Sequence, residues 1–175
     1  MDNNAHRLFR SLETGAFYKN NARPLIIADD LRTPENMGAV LRLAGNIGAL
    51  STIFLSRGGK QYRRDKIRRT ASGAAEKVDW QVIREAVQLD VLIPEGYQIV
   101  ALETSREGNS LFGQGLPGKV AFLVGNEVTG ISGELLARAH YTLYIPLPGT
   151  ITSLNVTHAL ATGLFEWYRQ MVDRG

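Results

Sequence analysis

Three polar segments of the sequence carry side chains able to bind an anion or another polar ligand: residues 36–42, 125–130 and 146–155. Each segment lies at or just beyond the carboxyl end of a predicted strand, where open α/β sheets place their ligands. In the first segment, Asn36 and Arg42 stand nearly two helical turns apart and roughly on one side, so both side chains could face a common cleft. The alternative is that Asn36 only caps the helix and that Arg42 only lies on the surface.

The other two segments combine polar side chains with backbone that a ligand can approach. Gly125 and Gly130 flank Glu127 just after an apolar strand. This pattern is typical of close approach between backbone and ligand, although a plain turn has the same glycines. Ser153 and Asn155 stand at the start of the last predicted helix, whose first amide groups attract anions. As helix caps alone, these two side chains would need no function.

Other catalytic chemistries find less support in the sequence. The chain has no cysteine, which excludes disulfides, thiolate zinc sites and cysteine nucleophiles. It has no phosphate-binding loop, no dinucleotide-binding glycine motif after the first strand and no nucleophile elbow. The histidines His6, His140 and His158 lack the spacing of metal ligands, so no metal is expected. Asp29 and Asp30, adjacent at a strand end, could bind a metal or act as acid and base, but such side chains are usually solvated.

Basic residues concentrate in one stretch, although the net charge is only +3. Residues 57–69 include seven lysines and arginines and a single acid, Asp65. This density predicts contact with a phosphate backbone. The alternative is a solvated, charged helix face. The cations that we expect to make the contact are Arg63, Arg64, Lys66 and Arg68.

Short β-branched runs alternate with helical stretches along the chain, which predicts an α/β fold with a mostly parallel sheet flanked by helices. Gly48 is predicted to cap the first long helix. An apolar stripe on the last helix, predicted to belong to the core or to a dimer surface, consists of Leu160, Leu164, Trp167 and Met171. The predicted strands are 24–29, 51–55, 97–102, 119–124 and 141–145, and the predicted helices are 36–46, 65–71, 84–92, 132–139 and 155–171.

The composition fits a single globular domain. With 175 residues, 44% of them hydrophobic, the chain can bury a self-supporting core. We expect a short helical extension over residues 1–22 and one domain over residues 23–175. No window approaches the roughly 18 apolar residues of a membrane helix, and the N-terminus lacks the apolar region of a secretory signal. A cytoplasmic protein is therefore the default expectation.

Taken together and in this order, the three segments resemble the three motifs of the SpoU/TrmH family of RNA 2′-O-ribose methyltransferases. The resemblance covers roughly residues 22–170, and it is specific because all three blocks agree at the family spacing. Leu147 and Thr157 stand where methionine and serine are frequent, and neither departure removes a group that the chemistry needs. The matching blocks are N-x-G-A-x-x-R-x-A-x-x-x-G at 36–48, F-L-V-G-N-E-x-x-G-I-S at 122–132 and I-P-L-P-G-x-x-x-S-L-N-V-x-x-A at 145–159.

The resemblance implies a parallel sheet whose carboxyl-terminal part forms a deep trefoil knot of the SPOUT type. The pattern of elements alone could not predict a knot, because knots are rare. In the family, the knot shapes a backbone-lined pocket that holds the methyl donor S-adenosylmethionine in a bent form. Family members are homodimers, in which the last helix contributes to the interface and the RNA site draws on both subunits. The implied donor-binding residues of this chain are Leu102, Thr104, Gly125, Ile145 and Leu154.

The implied catalytic residues are Arg42, Asn36, Glu127, Ser153 and Asn155. The expected reaction moves a methyl group to a ribose 2′-hydroxyl of RNA, and this hydroxyl must lose or share its proton as it attacks. Because arginine is essentially always protonated, we favour Arg42 as an electrostatic stabiliser of the developing alkoxide, with an RNA phosphate taking part in the proton transfer; a role as base stays open. Asn36 and Glu127 would hold the guanidinium of Arg42, and Ser153 and Asn155 would position the ribose-phosphate.

Two alternatives remain at the level of the sequence. A non-catalytic RNA-binding protein could retain the fold, and a metal-dependent nucleotide hydrolase could use Asp29, Asp30 and Glu127. Among RNA substrates, the short build favours tRNA over rRNA. The sequence does not determine which nucleotide is methylated.

Overall fold

The computed structural model describes residues 14–58, 64–105 and 108–174. Its described strands are β1 (Leu25–Asp29), β2 (Thr52–Leu55), β3 (Trp80–Ile83), β4 (Gln98–Leu102), β5 (Asn109–Ser110), β6 (Val120–Val124) and β7 (Tyr141–Tyr144). They form one sheet in the order β3-β2-β1-β6-β4-β7-β5. Every pair of neighbouring strands is parallel, which confirms the predicted fold class.

Helices connect and cover these strands. In the described residues they are α1 (Thr14–Asn20), α2 (Pro34–Ile47), α3 (Arg64–Thr70), α4 (Leu89–Leu92), α5 (Gly133–Leu136) and α6 (Val156–Asp173). Short 3-10 turns occur at Ala74–Glu76, Ala86–Gln88 and Leu111–Gly113. None of these helices is long and apolar enough to cross a membrane.

The central strands are apolar throughout because both faces of the sheet are covered. All five residues of β1 and all five of β6 are buried. On one face, Ile26 and Phe122 belong to a core cluster that includes residues of α2 and α6. On the other face, Ile27 and Leu123 belong to a cluster with residues of α4 and α5. Strands buried on both faces read as continuous apolar runs, and this pattern made them predictable.

All five predicted strands are present within one residue at each end, and two more exist that were not predicted. The additional strands, β3 and β5, form the two edges of the sheet. Three of the four residues of β3 are only half-buried, and β5 has two residues. Neither segment therefore carries the apolar run that predicts a strand.

The helices differ from prediction at their ends. The N-cap of α2 is Thr33, whose Oγ1 accepts a hydrogen bond from the backbone of Asn36 at 3.2 Å. Gly48 caps the other end with φ 67°, as predicted. The predicted helix over 84–92 is wrong in its first half, because the side chain of Glu85 instead caps a 3-10 turn and only Leu89–Leu92 is α-helical. The helix predicted over 132–139 is shorter, with four residues in α5.

The apolar stripe of α6 lies in the core. Leu160, Leu164 and Trp167 are fully buried and Met171 is 5% exposed. The helix thus seals one face of the sheet with the stripe that the sequence predicted.

The described part of the N-terminal extension closes the carboxyl end of α2. Helix α1 is present as expected, while residues 1–13 lie outside the described residues. The hydroxyl of Tyr18 donates to the carbonyl of Ile47, and Arg23 donates to the carbonyl of Gly48 at 2.8 Å. These donors satisfy carbonyl groups that the end of a helix leaves without partners.

Candidate active site

A pocket of about 310 Å³ opens where β4, β6 and β7 end. We call it the β6 pocket. Its wall also includes Glu103, Glu127 and Ser153. All five residues that the resemblance implies for donor binding line it, namely Leu102, Thr104, Gly125, Ile145 and Leu154.

Two glycines allow the loop after β6 to fold tightly beside this pocket. A Cβ atom on Gly125 would lie 2.3 Å from the backbone of both Gly130 and Ile131, far inside any tolerated contact. Gly130 has φ 69°, and a Cβ atom there would lie 2.6 Å from the carboxylate of Glu103. The backbones of Asn126 and Gly130 exchange two hydrogen bonds of 3.0 Å. Backbone, rather than side chains, therefore forms this wall.

Asn126, which the sequence analysis did not single out, fixes the shape of the same loop. Its Nδ2 donates to the carbonyl of Asp30 at 2.7 Å. Its Oδ1 accepts from the backbone of Val128 at 2.9 Å and of Thr129 at 3.2 Å. The side chain thereby ties the loop to the end of β1 and holds Glu127 in the adjacent position.

Glu127 joins this loop to the start of α2. Its carboxylate accepts a hydrogen bond from Nδ2 of Asn36 and a second, at 3.0 Å, from the backbone of Arg32. A carboxylate at a helix N-terminus is favourable because the helix dipole is positive there. The structure thus brings together two of the implied catalytic residues, and Asn36 is free for this contact because Thr33 takes the capping role.

Arg42 lies on another face of α2. Six residues along an α-helix correspond to a rotation of about 120° between side chains. Arg42 is exposed and lines a second recess of about 720 Å³ between α2 and residues 71–79. Within this chain, therefore, Asn36 contacts the β6 pocket through Glu127, whereas Arg42 faces the other recess. We call that recess the Arg42 groove; its polar lining residues are Arg23, Arg42, Asn46, Ser72, Lys77 and Asp79.

Ser153 and Asn155 stand at the start of α6. Ser153 is exposed and lines the β6 pocket. Asn155 is the N-cap of α6, and its Oδ1 accepts from the backbone of Thr157 at 2.8 Å. The amide nitrogen of Asn155 has no hydrogen-bond partner among the described residues, so it is available to a ligand.

Glu103 is a second residue that the sequence analysis did not identify. It follows β4 and lines the β6 pocket. One carboxylate oxygen accepts from the backbone of Ile131 at 2.8 Å and the other from the backbone of Thr104 at 2.9 Å. These bonds fix the carboxylate in the pocket wall, where it favours a ligand that carries positive charge.

The adjacent aspartates at the end of β1 have structural partners. Asp29 is 2% exposed, and its Oδ2 accepts from the backbone of Ser132 at 2.8 Å. Its Oδ1 lies 3.5 Å from a guanidinium nitrogen of Arg57, and Asp30 accepts from the backbone of Arg57 at 3.1 Å. The pair therefore ties the loops after β2 and β6 to the end of β1.

In the part of the chain that the structure describes, no group of three His, Asp or Glu side chains is placed to hold a metal ion. His140 accepts a hydrogen bond from the backbone of Ile99 at 3.0 Å, an ordinary structural role, and His158 is exposed. With Asp29 and Glu127 engaged as described, the metal-dependent hydrolase receives no support.

The described basic side chains of α3 are exposed to solvent. The guanidinium of Arg64 lies 5.4 Å from the ring centre of Trp80, and Nε of Arg68 lies 3.9 Å from a carboxylate oxygen of Glu76. Arg63 lies outside the described residues. The exposure is compatible with both alternatives for this stretch, a phosphate contact and a solvated face.

The parallel sheet and the backbone-walled pocket at its carboxyl edge are typical of open α/β domains, which place their ligands at strand ends. A family model described as the SpoU rRNA Methylase family matches residues 23–165. The chain therefore belongs to the SpoU rRNA methylase family, as its three motifs predicted.

Curated relatives share about a third of their residues with this chain. It is 34% identical over 149 residues to the 23S rRNA (guanosine-2′-O-)-methyltransferase RlmB of Xylella fastidiosa, which covers 83% of this chain and 58% of the relative. RlmB of a Burkholderia species is 33% identical over 172 residues, covering 97% of this chain and 67% of the relative. The chain thus spans less than two thirds of the length of the first of these relatives.

Solved structures share the fold. A structure from work on the 2-OH methylation of C/U34 on tRNA has a TM-score of 0.76 and 27% identity, covering 87% of this chain and 99% of the other. The TrmH/SpoU tRNA modifying enzyme of A. aeolicus has a TM-score of 0.79 and 27% identity, covering 97% and 85%. The SpoU methyltransferase AviRb from Streptomyces viridochromogenes, in complex with AdoMet, has a TM-score of 0.77 at 22% identity, covering 87% and 59%.

Proposed function

We propose that this protein transfers a methyl group from S-adenosylmethionine to a ribose 2′-hydroxyl of RNA. One observation carries the proposal: all five residues implied for donor binding line a single pocket, and Glu127 in the same pocket is bonded to Asn36. The relatives named for guanosine-2′-O-methylation support the reaction type.

The β6 pocket fits the donor in its chemistry. Leu102, Ile145 and Leu154 offer apolar surface for a nucleoside, and Gly125 contributes backbone without a side chain to the pocket wall. Glu103 places a carboxylate where the sulfonium and amino groups would be attracted. When bound, S-adenosylmethionine supplies a methyl group on a positively charged sulfur atom, a strong electrophile.

The remaining implied residues act on the ribose. Glu127 holds the amide of Asn36 at the pocket, and Ser153 and Asn155 offer hydroxyl and amide groups to the ribose-phosphate. Arg42 stabilises the alkoxide that develops at O2′ as its proton leaves to an RNA phosphate. Since Arg42 lies in the groove rather than in the pocket, the target ribose must contact both recesses, from one subunit or from two.

The exposed cations of α3 are proposed as an RNA contact. Arg64, Lys66 and Arg68 are described, and Arg63 precedes them in the sequence. Removing their charges would weaken RNA affinity and reduce its dependence on salt by about one counterion per lost contact, while donor affinity stays the same.

We also propose a homodimer that uses α6. Beside its buried stripe, this helix carries an exposed apolar row of Phe165, Tyr168 and Val172, which are 50%, 36% and 51% exposed. Their spacing of three and four residues places them on one face. A contact through this row would cover apolar surface that the described residues of one chain leave open.

The remaining organisation follows the resemblance. We propose a domain over 23–175 preceded by an extension over 1–22, a trefoil knot in the carboxyl-terminal part, and a cytoplasmic location. The neighbouring positions of β6, β4 and β7, whose following segments all line one pocket, support the knot.

For the RNA substrate we propose tRNA before rRNA. The support is the solved structure from work on C/U34 of tRNA, of which the alignment covers 99%. A guanosine of 23S rRNA is the second candidate, favoured by the name of the relative with 34% identity.

Methyl transfer from labelled S-adenosylmethionine to unmodified tRNA and to rRNA, measured side by side, tests both statements. We expect label in one RNA class, at a 2′-hydroxyl, and its loss in Arg42→Ala. Donor binding without any transfer would point to a missing partner or to a different RNA substrate. Absence of donor binding would refute the proposed function.

A further inference from the structure

We propose that the Arg42 groove binds the sugar-phosphate backbone of a single RNA strand, the strand that carries the target ribose. The inference rests on the proposed function, since it gives the RNA of that function a path across the protein. It assigns a binding role to residues outside the three sequence motifs, above all Lys77.

The charges of the groove favour a polyanion. Arg23, Arg42 and Lys77 line it, against one acid, Asp79. The side chains of Arg42 and Lys77 have neither an ion pair nor a hydrogen-bond partner among the described residues, so their charge is not neutralised within the described chain. Unneutralised cations along a recess attract phosphate groups.

Arg23 differs from the other two cations because its position is fixed. It donates to the carbonyl of Gly48 at 2.8 Å, and its guanidinium lies 4.4 Å from the ring centre of Tyr18. Both partners leave the guanidinium exposed at the rim. It thus forms a preorganised cation at the end of the groove nearest the end of α2.

Small side chains line the groove and leave room for a nucleic-acid backbone. The glycine and alanine residues of the groove are Ala44, Gly45, Gly48, Ala49, Ala71, Gly73 and Ala74. A Cβ atom on Gly73 would have no neighbour within 4 Å, so the space above it is open. Asn46 and Ser72 add exposed polar groups for ribose and phosphate oxygens. A groove lined by small residues and flanked by basic side chains allows the backbone of a single RNA strand to approach closely.

The groove also connects two surfaces that the proposed function already requires. The basic helix α3 ends at Thr70, and Ala71 and Ser72 line the groove immediately after it. Arg42, which the reaction needs beside the target ribose, lines the same groove. An RNA strand bound by α3 can therefore continue into the groove that contains Arg42.

A pair of matched lysine variants tests the charge. Lys77→Glu is compared with Lys119→Glu, because Lys119 is also exposed but does not line the groove. The probes are a fluorescein-labelled oligouridylate, an unmodified tRNA transcript and S-adenosylmethionine. We expect Lys77→Glu alone to weaken RNA binding on the order of tenfold and to lower the salt slope by about 1, with donor affinity unchanged.

Gly45→Leu tests the space without changing the charge. Gly45 is exposed on α2, and a Cβ atom there would make only ordinary contacts, 3.5 Å from Val78 and 3.9 Å from Ala74. The substitution improves helix propensity while it fills the groove. We expect weaker RNA binding together with an unchanged or higher melting temperature, and a smaller loss for Gly45→Ala.

The outcomes separate this inference from the proposed function. Equal effects of Lys77→Glu and Lys119→Glu, or full RNA affinity in Gly45→Leu, would overturn the groove and leave the donor site intact. A wild-type chain that binds S-adenosylmethionine but neither RNA probe would likewise overturn the groove and leave the donor site intact. Failure to bind the donor would overturn the proposed function, while weaker RNA binding in both groove variants would still support the groove.

Discussion

The β6 pocket and the Arg42 groove are built on opposite principles, although α2 connects them. In the β6 pocket, both carboxylates are already engaged: Glu103 and Glu127 each accept hydrogen bonds from two donors of the protein. In the Arg42 groove, the side chains of Arg42 and Lys77 have no partner among the described residues. One recess is preorganised by the chain, and the other presents free charge.

This difference suits two kinds of ligand. A small donor with a defined shape gains affinity when the wall is rigid before it binds. A long polyanion gains affinity from cations that exchange water and counterions for phosphate. We therefore expect substitutions in the pocket to act through fit, and substitutions in the groove to act through charge and salt.

Gly125→Ala should have the largest effect, because it breaks the wall of the pocket. The new methyl group would lie 2.3 Å from backbone atoms that cannot move away independently. We expect a cost of about 1–3 kcal/mol in folding and a loss of donor affinity on the order of a hundredfold or more. Calorimetric titration with S-adenosylmethionine and thermal unfolding measure both.

Gly133→Ala is the matched control for that substitution. Gly133 stands at the start of α5, where an added Cβ atom has no neighbour within 4 Å. We expect unchanged donor affinity. Equal losses in the two variants would show that tight closure of the 125–130 loop is not what the pocket requires.

Much of this pocket could be predicted, because its residues belong to motifs with a fixed spacing. Glu103 could not be predicted in the same way. A single glutamate after a strand usually lies in solvent, and only the placement of β4 beside β6 brings its carboxylate to the backbone of Ile131, 28 residues further along the chain. Long-range pairing of this kind leaves no local signal in the sequence.

The start of α2, in contrast, carries a local signal in the sequence. Thr33 followed by Pro34 is a typical N-cap and first helical residue, which leaves Asn36 free to bind Glu127. The separation of Asn36 and Arg42 was also accessible from helix geometry, since six residues place side chains about 120° apart. The edge strand β3 was harder to predict from the sequence, because its half-buried side chains form no apolar run.

Arg42→Lys tests whether the groove and the pocket meet at the target ribose. Lysine keeps the charge but loses the planar guanidinium, so we expect methyl transfer to fall on the order of 10²–10³-fold while donor affinity stays constant. Single-turnover transfer and donor titration measure the two quantities. Arg84→Lys, an exposed position after the edge strand β3, is the control, and near-normal turnover in Arg42→Lys would contradict the proposed geometry.

Substitutions of the two carboxylates of the β6 pocket should affect different quantities, one the affinity for the donor and the other the turnover. Loss of a charged acceptor costs about 1.5–3 kcal/mol. We expect Glu103→Gln to weaken donor binding on the order of tenfold, because its carboxylate lines the pocket proposed for the donor. Glu127→Gln should instead lower turnover to a similar extent, because Glu127 orients Asn36. Comparable losses of donor affinity in both variants would remove the distinction.

Tyr18→Phe should give the smallest effect, because it acts on the support of the groove rather than on its lining. The hydroxyl donates to the carbonyl of Ile47, and the ring that carries Arg23 remains. We expect a loss of about 1 kcal/mol in the free energy of unfolding and unchanged RNA affinity, measured by urea denaturation and by titration.

The pH dependence of the stability of Tyr18→Phe tests whether the buried hydroxyl causes the stability difference. Burial raises the pKa of Tyr18 from 10.0 to about 12, so the folded state favours the neutral hydroxyl. Its contribution is therefore complete below pH 10 and is lost as the pH rises towards 12, and the stability difference between wild type and Tyr18→Phe should shrink over that range. Tyr141→Phe is the control, since the hydroxyl of Tyr141 has no hydrogen-bond partner among the described residues. No stability difference between wild type and Tyr18→Phe at any pH would mean that Tyr18 acts through its ring alone, and the fixed position of Arg23 would then depend on packing rather than on the bond to α2.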